Sequence, residues 1–248
     1  MTLRIQFSKN AAASYSETEE QINKEVIYEA IRGFENESET LKRQNLLVYF
    51  GWKSKIILGY FKTETLGFIV CKTTPGIERL ADEKNDIKDF ESFDCLIYLS
   101  TDIGKDENKI FKTFTIVHEL QHLLQRIYLK NHYLKHFVLN NYYRIRGFDT
   151  NELPTEHDAI RKAKIINYKI FGKEKVDLFI DKKIMTSIKG DIKYWEKIKN
   201  ININEYYDLE NEMQKVWDKY KKDIEEKIKI DDDLRKAYEF LISHVKEN

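Results

Sequence analysis

The stretch Lys112–Gln125, KTFTIVHELQHLLQ, decides how the rest of the chain is read. Ile110, Phe114, Val117, Leu120, Leu124 and Ile127 recur at helical spacing around it, so one long helix is expected from about Glu107 to about Asn131. Within that helix His118 and His122 are four residues apart, which puts two imidazoles on one face, one turn apart, within reach of a single ion. Glu119, beside the first histidine, points partly to the same side. A carboxylate there takes a proton from water more readily than it joins the ligands. The helix is apolar nearly all round, and buried imidazoles need partners, which a metal ion provides for both at once. His118, His122, His132, His136 and His157 are five of the six histidines, which concentrates ligand-type side chains in one region; only His244 lies outside it.

Upstream, Ser16 and Glu19 have the spacing of a capping box, followed by Ile22, Val26, Ala30 and Phe34 on one stripe of a helix over about Glu17–Phe34. Leu46–Trp52, Lys55–Phe61 and Leu66–Lys72 are rich in β-branched and aromatic residues and read as three consecutive antiparallel strands. A polar stretch, Thr73–Ser92, separates them from a fourth strand at Cys95–Ser100. Downstream, a helix is expected over His132–Ile145, stopping before Gly147. Another is expected to start at Thr155 as its N-cap and run to Phe171. From Lys173 onward the chain is Lys-, Ile- and Glu-rich, with Leu209, Met213, Val216, Tyr220, Ile224 and Ile228 on one stripe. The expected organisation is an α+β domain over residues 1–172, a small antiparallel or mixed sheet packed on the central histidine helix, and a helical C-terminal region over 173–248.

Composition sets outer limits. The chain has 248 residues, 42 % of them hydrophobic, enough to enclose a sizeable core. Forty-two basic and forty-two acidic side chains balance to zero, so the whole-chain electrostatic footprint of a nucleic-acid or anionic-lipid binder is absent. The first residues lack the apolar core of a secretory signal, and no apolar run approaches membrane-spanning length. Cys71 and Cys95 are too few for a disulfide framework and read as separate buried apolar side chains, which makes a reducing cytoplasm the expected location.

The motif resembles that of the zincin metallopeptidases, which carry this His-Glu-x-x-His helix after a strand at a sheet edge; Cys95–Ser100 stands in that order here. The metzincin extension is missing, since position 125 is Gln and position 128 is Tyr. Gluzincins take a third ligand from a glutamate on a later helix, commonly with Ala three residues on. Glu156 and Ala159 match that pattern, so the resemblance is to small gluzincins, including the repressor-cleaving regulatory type. It implies Zn²⁺ held by His118, His122 and Glu156, with Glu119 as general base, and a peptide or protein as substrate. The sequence departs from that family at Ile160, where Asp or Asn would usually orient a zinc-bound histidine; Asp149 and Asp102 are the replacements considered. Candidate donors to a developing oxyanion are His157, Tyr128, Tyr142 and Tyr143. His132 and His136, four apart without an acid between them, read as surface or substrate-cleft residues. The rival expectation is a catalytically silent zincin-like binding or regulatory protein, motivated by Ile160 and by the unfamiliar C-terminal helices.

Overall fold

The computed structural model describes residues 3–10, 14–53, 56–58, 63–71, 85–89, 92–187 and 189–245. In chain order the elements are β1 (Arg4–Phe7), α1 (Glu17–Gly33), α2 (Ser38–Arg43), β2 (Leu46–Phe50), β3 (Ile56–Leu58), β4 (Thr63–Thr65), β5 (Gly67–Cys71), β6 (Cys95–Leu99), α3 (Thr101–Lys105), α4 (Lys109–Tyr128), α5 (Lys130–Arg146), α6 (Pro154–Phe171), α7 (Lys173–Thr186), α8 (Lys189–Asn200), α9 (Leu209–Lys227) and α10 (Asp232–Val245). The class is α+β, mostly helical. Parts of the expected Lys55–Phe61 strand and most of the polar Thr73–Ser92 stretch lie outside the described residues. No described helix is long and apolar enough to cross a membrane.

The chain forms two compact units, one of Met1–Leu120 with Lys162–Asn200, the other of Gln121–Arg161 with Ile201–Asn248. Helices α4 and α6 each run from one into the other. The helices after Lys173 are divided between the units, α7 and α8 in the first, α9 and α10 in the second.

In the first unit a four-stranded sheet has the order β1-β2-β6-β5. β1 and β6 both pair parallel to β2, and only β5 runs antiparallel, against β6. This corrects the expectation of three consecutive antiparallel strands. Thr63–Thr65, between two of the expected strands, is itself a strand, β4, paired antiparallel with β3, while β2 pairs across the sequence with β6. Their composition has a physical reading: LLVYF and CLIYL are buried at every position, as parallel strands covered on both faces require. Two further expectations change. β6 is an inner strand, bonded on both sides, so its backbone is not an edge open to an extended peptide. Cys71 and Cys95 are directly opposed in the β5–β6 register and joined as a disulfide. Both are buried, as expected, but they are not separate thiols, and the ground for a reducing compartment falls with that.

Helix α1 begins with the expected capping box, Ser16 accepting from the Glu19 backbone while Glu19 accepts from the Ser16 backbone, and buries Val26, Ile27, Ala30 and Ile31. The start of α4 is held in two ways. Phe111 and Phe114 pack against Phe179 and Trp195 of α7 and α8. Lys112, 2 % exposed, donates from Nζ to Asn23 Oδ1 at 2.5 Å and to the Gly104 carbonyl at 2.7 Å, tying α4 to α1 and α3.

The second unit is helical. Leu134, Val138, Leu139 and Tyr142 of α5 share a core with Leu209, Met213, Trp217 and Ile224 of α9 and with Leu234, Ala237 and Leu241 of α10. The apolar stripe of the C-terminal sequence is thus spent on packing. α5 ends at Gly147, whose φ of 68° is left-handed, the conformation in which glycine closes helices at least cost.

Candidate metal centre

The motif helix places His118 and His122 one turn apart, and the chain reverses at Leu129 into α5. After α5 and the short turn at Thr150–Glu152, α6 begins at Pro154. Proline takes the first helical position, where its missing N–H costs nothing. Thr155 is therefore inside the helix and not its N-cap. Glu156 falls in the first turn, where the helix N-terminus favours a carboxylate.

His118, His122 and Glu156 each offer one ligand atom, all within 4.8 Å of one another. Nε2 of His122 is 3.4 Å from Oε2 of Glu156. Two ligands at zinc's bond length of about 2.0–2.1 Å, on a tetrahedron, stand about 3.3 Å apart, so this spacing suits an ion between them. Two imidazoles and one carboxylate are a zinc donor set that leaves a fourth position open. Glu119, 6 % exposed, sits between the two histidines in sequence.

Gln125 approaches the ring nitrogen of His122 that faces away from Glu156. Gln125 donates from Nε2 to the Thr155 carbonyl at 2.9 Å and to Asp158 Oδ2 at 2.8 Å. Both contacts need its amide nitrogen, so its oxygen is the atom that faces His122, 2.9 Å from Nδ1. A neutral ring with its proton on Nδ1 has its lone pair on Nε2, the form that binds a metal. Gln121, one turn earlier, also donates to Asp158 Oδ2, at 2.7 Å. The outer support thus comes from Gln125 and Asp158. Asp102 and Asp149, expected in that role, are exposed: Asp102 lies in the first turn of α3, and Asp149 caps the Thr150–Glu152 turn by accepting from Asn151. Ile160 is a buried core residue.

Each remaining candidate has a described position. His157 packs its ring on Tyr207, 4.6 Å between centroids. Tyr128 closes α4 and is 56 % exposed. The Tyr142 hydroxyl donates to Asp223, and burial, then that carboxylate, raises its pKa. Tyr143 packs among Phe148 and Tyr220, and burial, aided by Tyr220, pushes its pKa up to about 12. His132 lies 3.8 Å from Glu210, and burial lowers its pKa.

His136, expected at the surface or in a substrate cleft, lies beside the ligand candidates. It is buried, its ring lies 5.8 Å from that of His122, and its Nε2 is 3.9 Å from Oε1 of Glu156. Its Nδ1 is 2.5 Å from the Thr155 hydroxyl. The available signal was its place on the inward face of α5, in register with Val138–Leu139 and Tyr142–Tyr143 rather than with the exposed positions. No family model, curated protein or solved structure matches the chain.

Proposed function

We propose that this protein is a zinc-dependent peptidase of the gluzincin kind, with a zincin-like arrangement of sheet and motif helix. His118, His122 and Glu156 are its ligands and Glu119 its general base. The observation that carries the reading is the convergence of the two helix-spaced imidazoles with Glu156, whose Oε2 stands at a ligand-to-ligand spacing from His122.

When bound, zinc supplies a Lewis acid that lowers the pKa of water and polarises a carbonyl. The chain's own part follows from its side chains. Gln125 holds His122 through Nδ1, which leaves Nε2 toward Glu156, and Glu156 brings a carboxylate to the donor set. Glu119 accepts a proton from the attacking water and passes it to the leaving nitrogen, which requires a carboxylate beside the ligands and not among them. Glu119 is buried and directly follows the ligand candidate His118 in α4.

Glu119→Gln tests the assignment, because it keeps size and hydrogen bonding while removing the base. Wild type and variant are incubated with a peptide library and the new chain termini compared. The expected result is chelator-sensitive cleavage by wild type and a loss of at least about 10²-fold in the variant, with metal content unchanged. Cleavage that survives chelation, or equal cleavage by the variant, would remove the activity from this site. Metal binding without cleavage by either would favour the regulatory reading.

A further inference from the structure

The carboxylate of Glu156 lies between two imidazoles. Oε2 faces Nε2 of His122 at 3.4 Å, and Oε1 faces Nε2 of His136 at 3.9 Å. His136 is 8 % exposed, and Tyr133 stacks on its ring, centroids 5.9 Å apart. Its other nitrogen, Nδ1, meets the Thr155 hydroxyl at 2.5 Å. Thr155 directly precedes Glu156 in the first turn of α6, so one segment supplies both the group that fixes the His136 ring and the carboxylate the ring faces.

We propose that His136 is a positioning residue for Glu156: Thr155 O–H donates to Nδ1, and Nε2–H is directed at Oε1, leaving Oε2 as the single ligand atom. This rests on the metal-centre reading and deepens it. A carboxylate with no outer partner can swing or chelate through both oxygens; a donor committed to one oxygen fixes a one-oxygen mode and its direction. It also gives the third ligand the kind of support that Gln125 gives His122, from a different helix.

Two replacements of His136 separate an N–H directed at the carboxylate from simple filling. His136→Phe keeps the ring and its packing without a donor, and His136→Gln places an amide N–H near the position of Nε2. Zinc affinity is measured by competition with a chromophoric chelator, and the Co²⁺ absorption spectrum and thermal melting are recorded alongside. The expected result is a loss of about 10- to 100-fold in affinity for the Phe variant, recovery of most of it by Gln, a Co²⁺ spectrum altered in Phe alone, and melting unchanged. Wild-type affinity in the Phe variant, or equal losses in Phe and Gln, would overturn the proposal while leaving the metal centre standing. Failure of the wild type to bind zinc would overturn the metal centre and this proposal together. If the Phe variant does not fold, Thr155→Val decides in its place. It removes the hydroxyl that fixes the ring and keeps the carbonyl that Gln125 uses. Weakened zinc binding is then expected, and wild-type affinity would overturn the proposal.

Discussion

Nδ1 of His122 and Oε1 of Gln125 lie 2.9 Å apart within one helix, and the glutamine's orientation is set by what its amide nitrogen must reach on α6. A neutral amide thereby does what a carboxylate commonly does behind a metal-binding histidine: it selects the tautomer and fixes the ring. The same amide links α4 to the turn that presents Glu156.

Gln125→Leu removes the acceptor facing Nδ1 of His122 and one of the two amides that donate to Asp158. Zinc affinity, measured against a competing chelator, should fall by about 10- to 100-fold. Gln125→Glu restores the acceptor but sets a second carboxylate against Asp158, so it should recover the His122 contact at a cost in stability. Equal affinity for wild type and the Leu variant would remove Gln125 from the metal-site account.

The helices and the His118–His122 pair could be read from the sequence because their signals are local, whereas Glu156 entered only through the family resemblance. A capping box at Ser16–Glu19, four-residue spacing in α1 and α4, and glycine after α5 each report on neighbouring residues. The sheet was misread because pairing is not local. β2 and β6 are separated by the β3–β4 hairpin and by β5, and nothing in either apolar run says which partner it takes. The places of His136, expected at the surface or in a cleft, and of Gln125 were not legible for the same reason. Their roles depend on Thr155, Glu156 and Asp158, which the fold brings to them from the far side of α5.

The β5–β6 register brings Cys71 and Cys95 together, so neither should react with iodoacetamide in denatured, unreduced protein. After reduction both should. Mass spectrometry of the alkylated chain reads this directly, and two modified cysteines before reduction would contradict the pairing.

Burial pushes the Lys112 ammonium down from 10.5 to about 8, against the opposing pull of Asp106 and Glu19. A lysine whose pKa is lower folded than unfolded binds fewer protons in the folded state between those values, so stability should rise as pH climbs through that window. Wild type should gain about 2 kcal/mol relative to Lys112→Met between roughly pH 7 and 9.5, by urea denaturation. A difference between the two proteins that does not change with pH would show that Lys112 is not desolvated as its 2 % exposure implies.

Whether His118, His122 and Glu156 hold a metal ion is read by elemental analysis of protein purified without chelator, with Glu156→Ala beside the wild type. The account predicts about one zinc per wild-type chain and sharply reduced retention in the variant, whose helical circular dichroism should stay close to wild type because Glu156 occupies a first-turn position. No stoichiometric transition metal in the wild type, even after zinc addition, or zinc retained equally by both proteins, would contradict it.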